Sequence, residues 1–142
     1  MAATAWWLLL TSLLAGCVAE DWKAQAERPA AGYFEAVKAK DVDRAVTFFA
    51  EHYLETRGAQ GLKTDTELIT TRLGQLREYR LTAASRRIEF FPPDSGAFAT
   101  LEYEVRYAKH RAKETFTIHK PFVRGEYRIV GHRIVSEGFL RE

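Results

Sequence analysis

The feature that most limits the fold is a change of hydrophobic period at Tyr79. Before it, apolar residues recur at helical spacing; after it, they alternate. In AFATLEYEVRYAK, Leu101, Tyr103, Val105 and Tyr107 share one face, and Glu102, Glu104 and Arg106 share the other. Successive side chains of a strand point to opposite sides, so this stretch predicts a half-buried strand. Residues 80–91, 114–120 and 126–136 predict three more strands. The PPDSG stretch and residues 110–113 and 121–125 lie between them as turns. In the last strand Tyr127 and Ile129 are in phase and Ile134 is not, which predicts a bulge near Gly131.

The first half reads as three helices. Glu27-Arg28-Pro29 is a helix entrance, since Pro is tolerated in a first turn. Tyr33, Phe34 and Val37 follow on one face. Asp41 predicts an N-cap for a second helix bearing Val42, Ala45, Val46, Phe49 and Tyr53. Gly58 to Gly61 predicts a loop. Thr64 and Glu67 have capping-box spacing ahead of a third helix with Ile69, Leu73 and Leu76. Three helices followed by four antiparallel strands is an α+β arrangement, with the helices packed on one face of a curved four-stranded sheet. Hydrophobic content of 46% and charged content of 28% suit one globular domain. A net charge of +2 asks for no polyanion, and no nucleic-acid partner is expected.

The N-terminus carries a different signal. No charged side chain occurs before Glu20, and Trp6 to Leu14 form an apolar run of signal-peptide length. The run steps down to Leu14-Ala15-Gly16-Cys17, which holds the only cysteine. This tetrapeptide resembles the lipobox of bacterial lipoproteins. The resemblance implies cleavage before Cys17, diacylglycerol on its thiol and acylation of the new amine. The first five residues lack the Lys or Arg usual in such leaders. Two other readings stand beside it: ordinary cleavage after Ala19, and an uncleaved anchor. The lipoprotein reading divides the chain into a signal peptide (residues 1–16), a lipid-anchored tether (17–26) and a folded domain (27–142). Val18 and Ala19 follow the cysteine instead of Asp. By resemblance to enterobacterial lipoproteins this implies the outer membrane, facing the periplasm. Each buried methylene contributes about 0.8 kcal/mol, so two or three chains hold firmly where one does not.

The helix–helix–helix–sheet order, "AKDVDRAVTFF", "RLGQL" and "GEYRIVGHRIVS" resemble the nuclear transport factor 2-like superfamily, also called cystatin-like, over roughly residues 29–138. That resemblance implies a cone, with helices closing one end of a bent sheet around a cavity. Its members include isomerases, dehydratases and cyclases as well as non-enzymatic association modules, so function must come from the site.

The candidate chemistry is sparse. Asp21, Asp41, Asp43, Asp65 and Asp94 fall at the tether, helix starts or turns, and Glu102 and Glu104 on the solvated strand face. Only Glu89 lies in a strand whose pattern leaves its side open, so no interior catalytic carboxylate is expected. His119 alternates with Phe116 and Ile118 and should face outward; His132, beside the bulge, fits either face; His52 and His110 read as exposed. No metal-ligand spacing, phosphate loop or nucleophile elbow appears, and no cofactor is expected. Tyr33, Tyr53, Tyr103, Tyr107, Tyr127 and His132 are the candidate cavity-lining residues, against plain core packing. Arg86, Arg87, Arg106 and Arg128 read as a solvated face, or as a receptor for an acidic partner or lipid headgroups. The expected function is a lipid-anchored binding or association module for a periplasmic protein, a second copy or a small apolar ligand. The alternative is an isomerase- or dehydratase-like enzyme using Tyr103 or Tyr107 with His132. Catalytic residues stay unassigned.

Overall fold

The computed structural model describes residues 21–123 and 125–140. Cys17, Leu14, Ala15 and Gly16 lie outside the described residues. The fold is α+β. Helices α1 (Trp22–Lys38), α2 (Val42–Val46), α3 (Glu51–Arg57) and α4 (Ala59–Leu73) precede strands β1 (Leu76–Glu89), β2 (Gly96–Tyr107), β3 (Arg111–Pro121) and β4 (Arg128–Val135). A short 3-10 turn, Glu137–Phe139, follows. The strands form one antiparallel sheet in the order β1-β2-β3-β4.

The helical half differs from expectation in three places. First, α1 begins at Trp22, so the stretch read as tether up to residue 26 is helical from there. Asp21 caps the helix, its carboxylate accepting from the backbone N–H of Lys23 and Ala24 at 3.2 and 3.4 Å. Ala24, Ala26 and Ala30 are strong helix formers, and they carry the helix through Pro29. Second, the expected second helix is two helices, making four in place of three. Asp41 does cap α2, but the backbone leaves the helix at Phe48–Ala50 to bond β4. Ile129 N–H donates to Phe48 O at 3.0 Å and Ala50 N–H to Ile129 O at 2.8 Å. Third, Gly58 (φ 83°) is the whole break, and α4 starts at Ala59. Thr64 is therefore an interior helical residue, its hydroxyl donating to Gln60 O. Leu76, expected on that helix, opens β1.

The core lies between α1 and the sheet. Phe34, Leu101, Phe116, Ile118 and Ile129 are fully buried there, with Leu73 and Leu76 closing the α4 side. Leu101, Tyr103, Val105 and Tyr107 are all buried, as the alternation predicts. The bulge also occurs: Thr117 pairs with Gly131 and Ile118 with Ile129, leaving Val130 as the extra residue. It shifts the phase of β4, so Ile129 and His132 both reach the core side.

Candidate functional site

The alternation of β3 puts Ala112, Glu114, Phe116 and Ile118 on the buried face. Glu114 is consequently a carboxylate with 0% exposure in the core. This overturns the expectation that the interior holds no carboxylate. The signal was in the sequence: Glu114 is in phase with Phe116 and Ile118, both read as inward.

Burying a charge costs several kcal/mol unless it is paired. Glu114 is paired on both oxygens. The Tyr107 hydroxyl donates to Oε1 at 2.6 Å. His132 Nε2 lies 2.7 Å from Oε2, as a donor to the carboxylate. Each donor arrives for a local reason. Tyr107 ends the alternating face of β2, and His132 is turned inward by the β4 bulge. The imidazole stacks on Phe116 (centroids 4.5 Å apart, 9° between planes), and Tyr33 meets it edge-on at 5.2 Å. His132 keeps 11% side-chain exposure and is the most exposed member of the cluster.

The phenols are held as donors. Burial, and then the Glu114 charge, push the Tyr107 phenol far above its ordinary value. The same two causes raise Tyr33, with a hydrogen bond to Thr66 opposing them. Burial raises Tyr103 as well, but its hydroxyl has no hydrogen-bond partner among the described residues. Burial and a 2.9 Å hydrogen bond to Glu35 push the Tyr79 phenol up to about 12.

Chemically, a carboxylate on Nε2 fixes the tautomer and leaves Nδ1 as the basic nitrogen, the arrangement a general base uses. Aromatic rings crowd the cluster. The surroundings of the imidazole are the rings of Phe116 and Tyr33. The clefts beside α3, beside Lys109 and beside Trp22 and Tyr127 are lined by other residues than Tyr33, Tyr103, Glu114 and His132.

The structure thus brings Tyr33, Tyr107 and His132 together around Glu114. Tyr103 lies in the same core, edge-on to Phe34 and Phe116. Tyr53 and Tyr127 stand apart, half-buried at the periphery. Tyr53 stacks on Phe49, and Tyr127 lies under the Lys120 ammonium. His119 does lie on the outward face, yet it is buried, which corrects its reading as a surface residue. Its ring stacks on Phe98 at 4.2 Å, and burial lowers its pKa. The four arginines of the expected solvated face are engaged locally. Arg87 lies over Phe98 and pairs with Glu89, and Arg106 pairs with Glu78. Arg128 donates to Thr47 O, and Arg86 lies over Trp22.

Among the described residues, no group of three or more His, Cys, Asp or Glu side chains could hold a metal ion. Among them also, no helix is long and apolar enough to cross a membrane. Compared with known proteins, the chain matches no protein-family model and no curated sequence.

Proposed function

We propose that this protein is a lipid-anchored domain of the bacterial cell envelope. It is held at Cys17 in the outer membrane and faces the periplasm. Its folded part is a nuclear transport factor 2-like (cystatin-like) cone acting as a binding or association module. The anchoring half of this reading rests on Leu14-Ala15-Gly16-Cys17. The non-catalytic half rests on one observation: the interior is packed with aromatic rings. Aromatic rings of α1, β2 and β3 meet there edge to face, and the fully buried Glu114 carboxylate accepts from Tyr107 and His132. An acid–base pair works only where a reacting atom can come within hydrogen-bond reach. Recognition then falls to the surface. A protein partner or a second copy takes a sheet or helix face. A small apolar ligand fits the open cleft of about 800 Å³ between α3 and the β3–β4 turn, lined in part by Phe49, Leu54 and Phe122.

The second reading, an isomerase- or dehydratase-like enzyme, is favoured by the Glu114–His132 pair itself. Native mass spectrometry of C-terminally tagged full-length chain, gently extracted from bacterial membranes, separates the two. A second copy or a protein at fixed stoichiometry supports the association module. A small-molecule adduct, lost in His132→Gln while the chain stays folded, favours the enzyme. An acylated chain carrying nothing counts against both forms of binding.

A further inference from the structure

The register of the sheet fixes which loops share an end. Glu89 pairs with Gly96 and Gly96 with Pro121, so the β1–β2 and β3–β4 turns lie together. The β2–β3 turn at Lys109 lies at the other end, where Leu76 pairs with Tyr107.

The first end is apolar and uncovered. Phe90, Phe91, Phe122 and Val123 are 73%, 81%, 53% and 82% exposed. They come from two separate turns yet meet, with the Phe90 and Phe122 rings 5.9 Å apart. Among the described residues, the other large exposed apolar side chains are Leu68 on α4, Val135 on β4 and Leu140 after the 3-10 turn. Clustered exposed apolar surface of this kind marks an interaction site.

The same end receives the start of the domain. Arg86 lies over the Trp22 ring at 5.9 Å, and Lys120 Nζ donates to Gln25 Oε1 at 3.4 Å. Trp22 and Phe122 line one cleft. Residues 18–21 are all that separate Cys17 from Trp22. Even fully extended, that connection spans roughly 18 Å. An acylated Cys17 therefore keeps this end within roughly 18 Å of the bilayer.

We infer that the Phe90–Phe91 and Phe122–Val123 turns insert into the membrane interface, and that the domain stands on the bilayer by this tip instead of swinging on its lipid. The inference rests on the lipid-anchor reading of Cys17. The occupant is a phospholipid surface, since the length of free chain puts one there. Phenylalanine supplies buried apolar area, Trp22 suits the interface, and Arg86 and Lys120 lie at headgroup level. Glu89 adds no free negative charge to the rim, being paired with Arg87. Standing on this tip, the molecule turns its β2–β3 end and the charged cleft beside Lys109 away from the membrane.

The test uses the acylated full chain carrying Phe91→Cys, in which the new thiol is the only one not acylated. It is labelled with an environment-sensitive fluorophore and reconstituted into phosphatidylethanolamine/phosphatidylglycerol vesicles. Lys109→Cys, labelled alike, reports the opposite end. The expected result is a blue shift and strong quenching by doxyl-labelled lipid at position 91, with a water-like, unquenched signal at 109. Water-like signals at both positions in a chain that floats with the vesicles would overturn the insertion and leave the anchor standing. Equal quenching at both would show the domain lying flat, and also overturns it. A shift at 91 seen only in native envelope vesicles would assign the tip to a protein and overturn the lipid proposal. A chain that does not float with the vesicles would remove the anchor and this inference together.

Discussion

Replacing Tyr107 with Phe removes one oxygen and leaves the ring in place, so the perturbation isolates a single hydrogen bond. That bond goes to a carboxylate with no exposure. A hydrogen bond to a charged group contributes about 1.5–3 kcal/mol, and here no water takes over the vacated donor role. For a domain of this size, 1 kcal/mol moves the melting temperature by about 3–5 °C, so Tyr107→Phe should lower it by roughly 5–15 °C. Tyr103→Phe is the internal control. Tyr103 lies on the same strand and is as buried, 2% exposed against 3% for Tyr107. Its hydroxyl has no partner among the described residues, so removing it relieves a desolvation penalty. Tyr103→Phe should be as stable as the parent or more so. Urea unfolding of the detergent-solubilised full chain, followed by circular dichroism at neutral pH, measures both variants. Equal m-values would show that stability alone has changed. A Tyr107→Phe midpoint equal to the parent's, or an equal loss in Tyr103→Phe, would refute the view that Glu114 is held by its donors.

Three further outcomes are expected. The Tyr33, Tyr103 and Tyr107 phenols are raised by burial, so the folded state favours their protonated form. Their contribution is complete below the ordinary value of 10.0 and is lost as pH rises beyond it. Each phenol gives up about 1.4 kcal/mol per pH unit there, and the phenols should ionise, by ultraviolet absorbance, together with unfolding. Burial lowers His119, so its contribution is complete above the ordinary 6.5 and falls as pH drops below it; His119→Phe should flatten the acid limb of stability against pH. Gly96→Ala should be among the costlier single substitutions, at about 2 kcal/mol or more. Its backbone sits at φ 151°, and a Cβ would come 2.4 Å from Lys120 O, as urea unfolding would read out.

What the sequence disclosed follows from the range of the forces involved. The faces of β2 were legible because side-chain alternation is local, and Leu101 to Tyr107 needed no knowledge of a partner strand. The β4 bulge was legible too, from the phase conflict between Ile129 and Ile134. The break between α2 and α3 was not. It exists because the Phe48 and Ala50 backbones bond Ile129, a residue far along the chain, while the side chains from Val42 to Tyr53 keep a helical period. The start of α1 was misplaced because Pro29 is a strong local signal, whereas the Asp21 cap is recognisable only once the helix is known to pass through the proline. Glu114 shows a different failure. Its phase was plain, but a charged residue on a buried face reads as an exception until the two donors are seen, and those come from β2 and from a strand that a bulge had to turn. This also changes what His132 can report. A His132→Ala variant removes a donor to Glu114 and a ring stacked on Phe116, so loss of function in it would come with loss of stability.

The most direct test of the account is the intact mass of the mature chain purified from bacterial membranes, read with its N-terminal sequence. The account predicts a chain beginning at Cys17 and heavier than its peptide by a diacylglycerol group and a further acyl chain. A chain beginning at Glu20 with no added mass, or one that keeps residues 1–16, would contradict it.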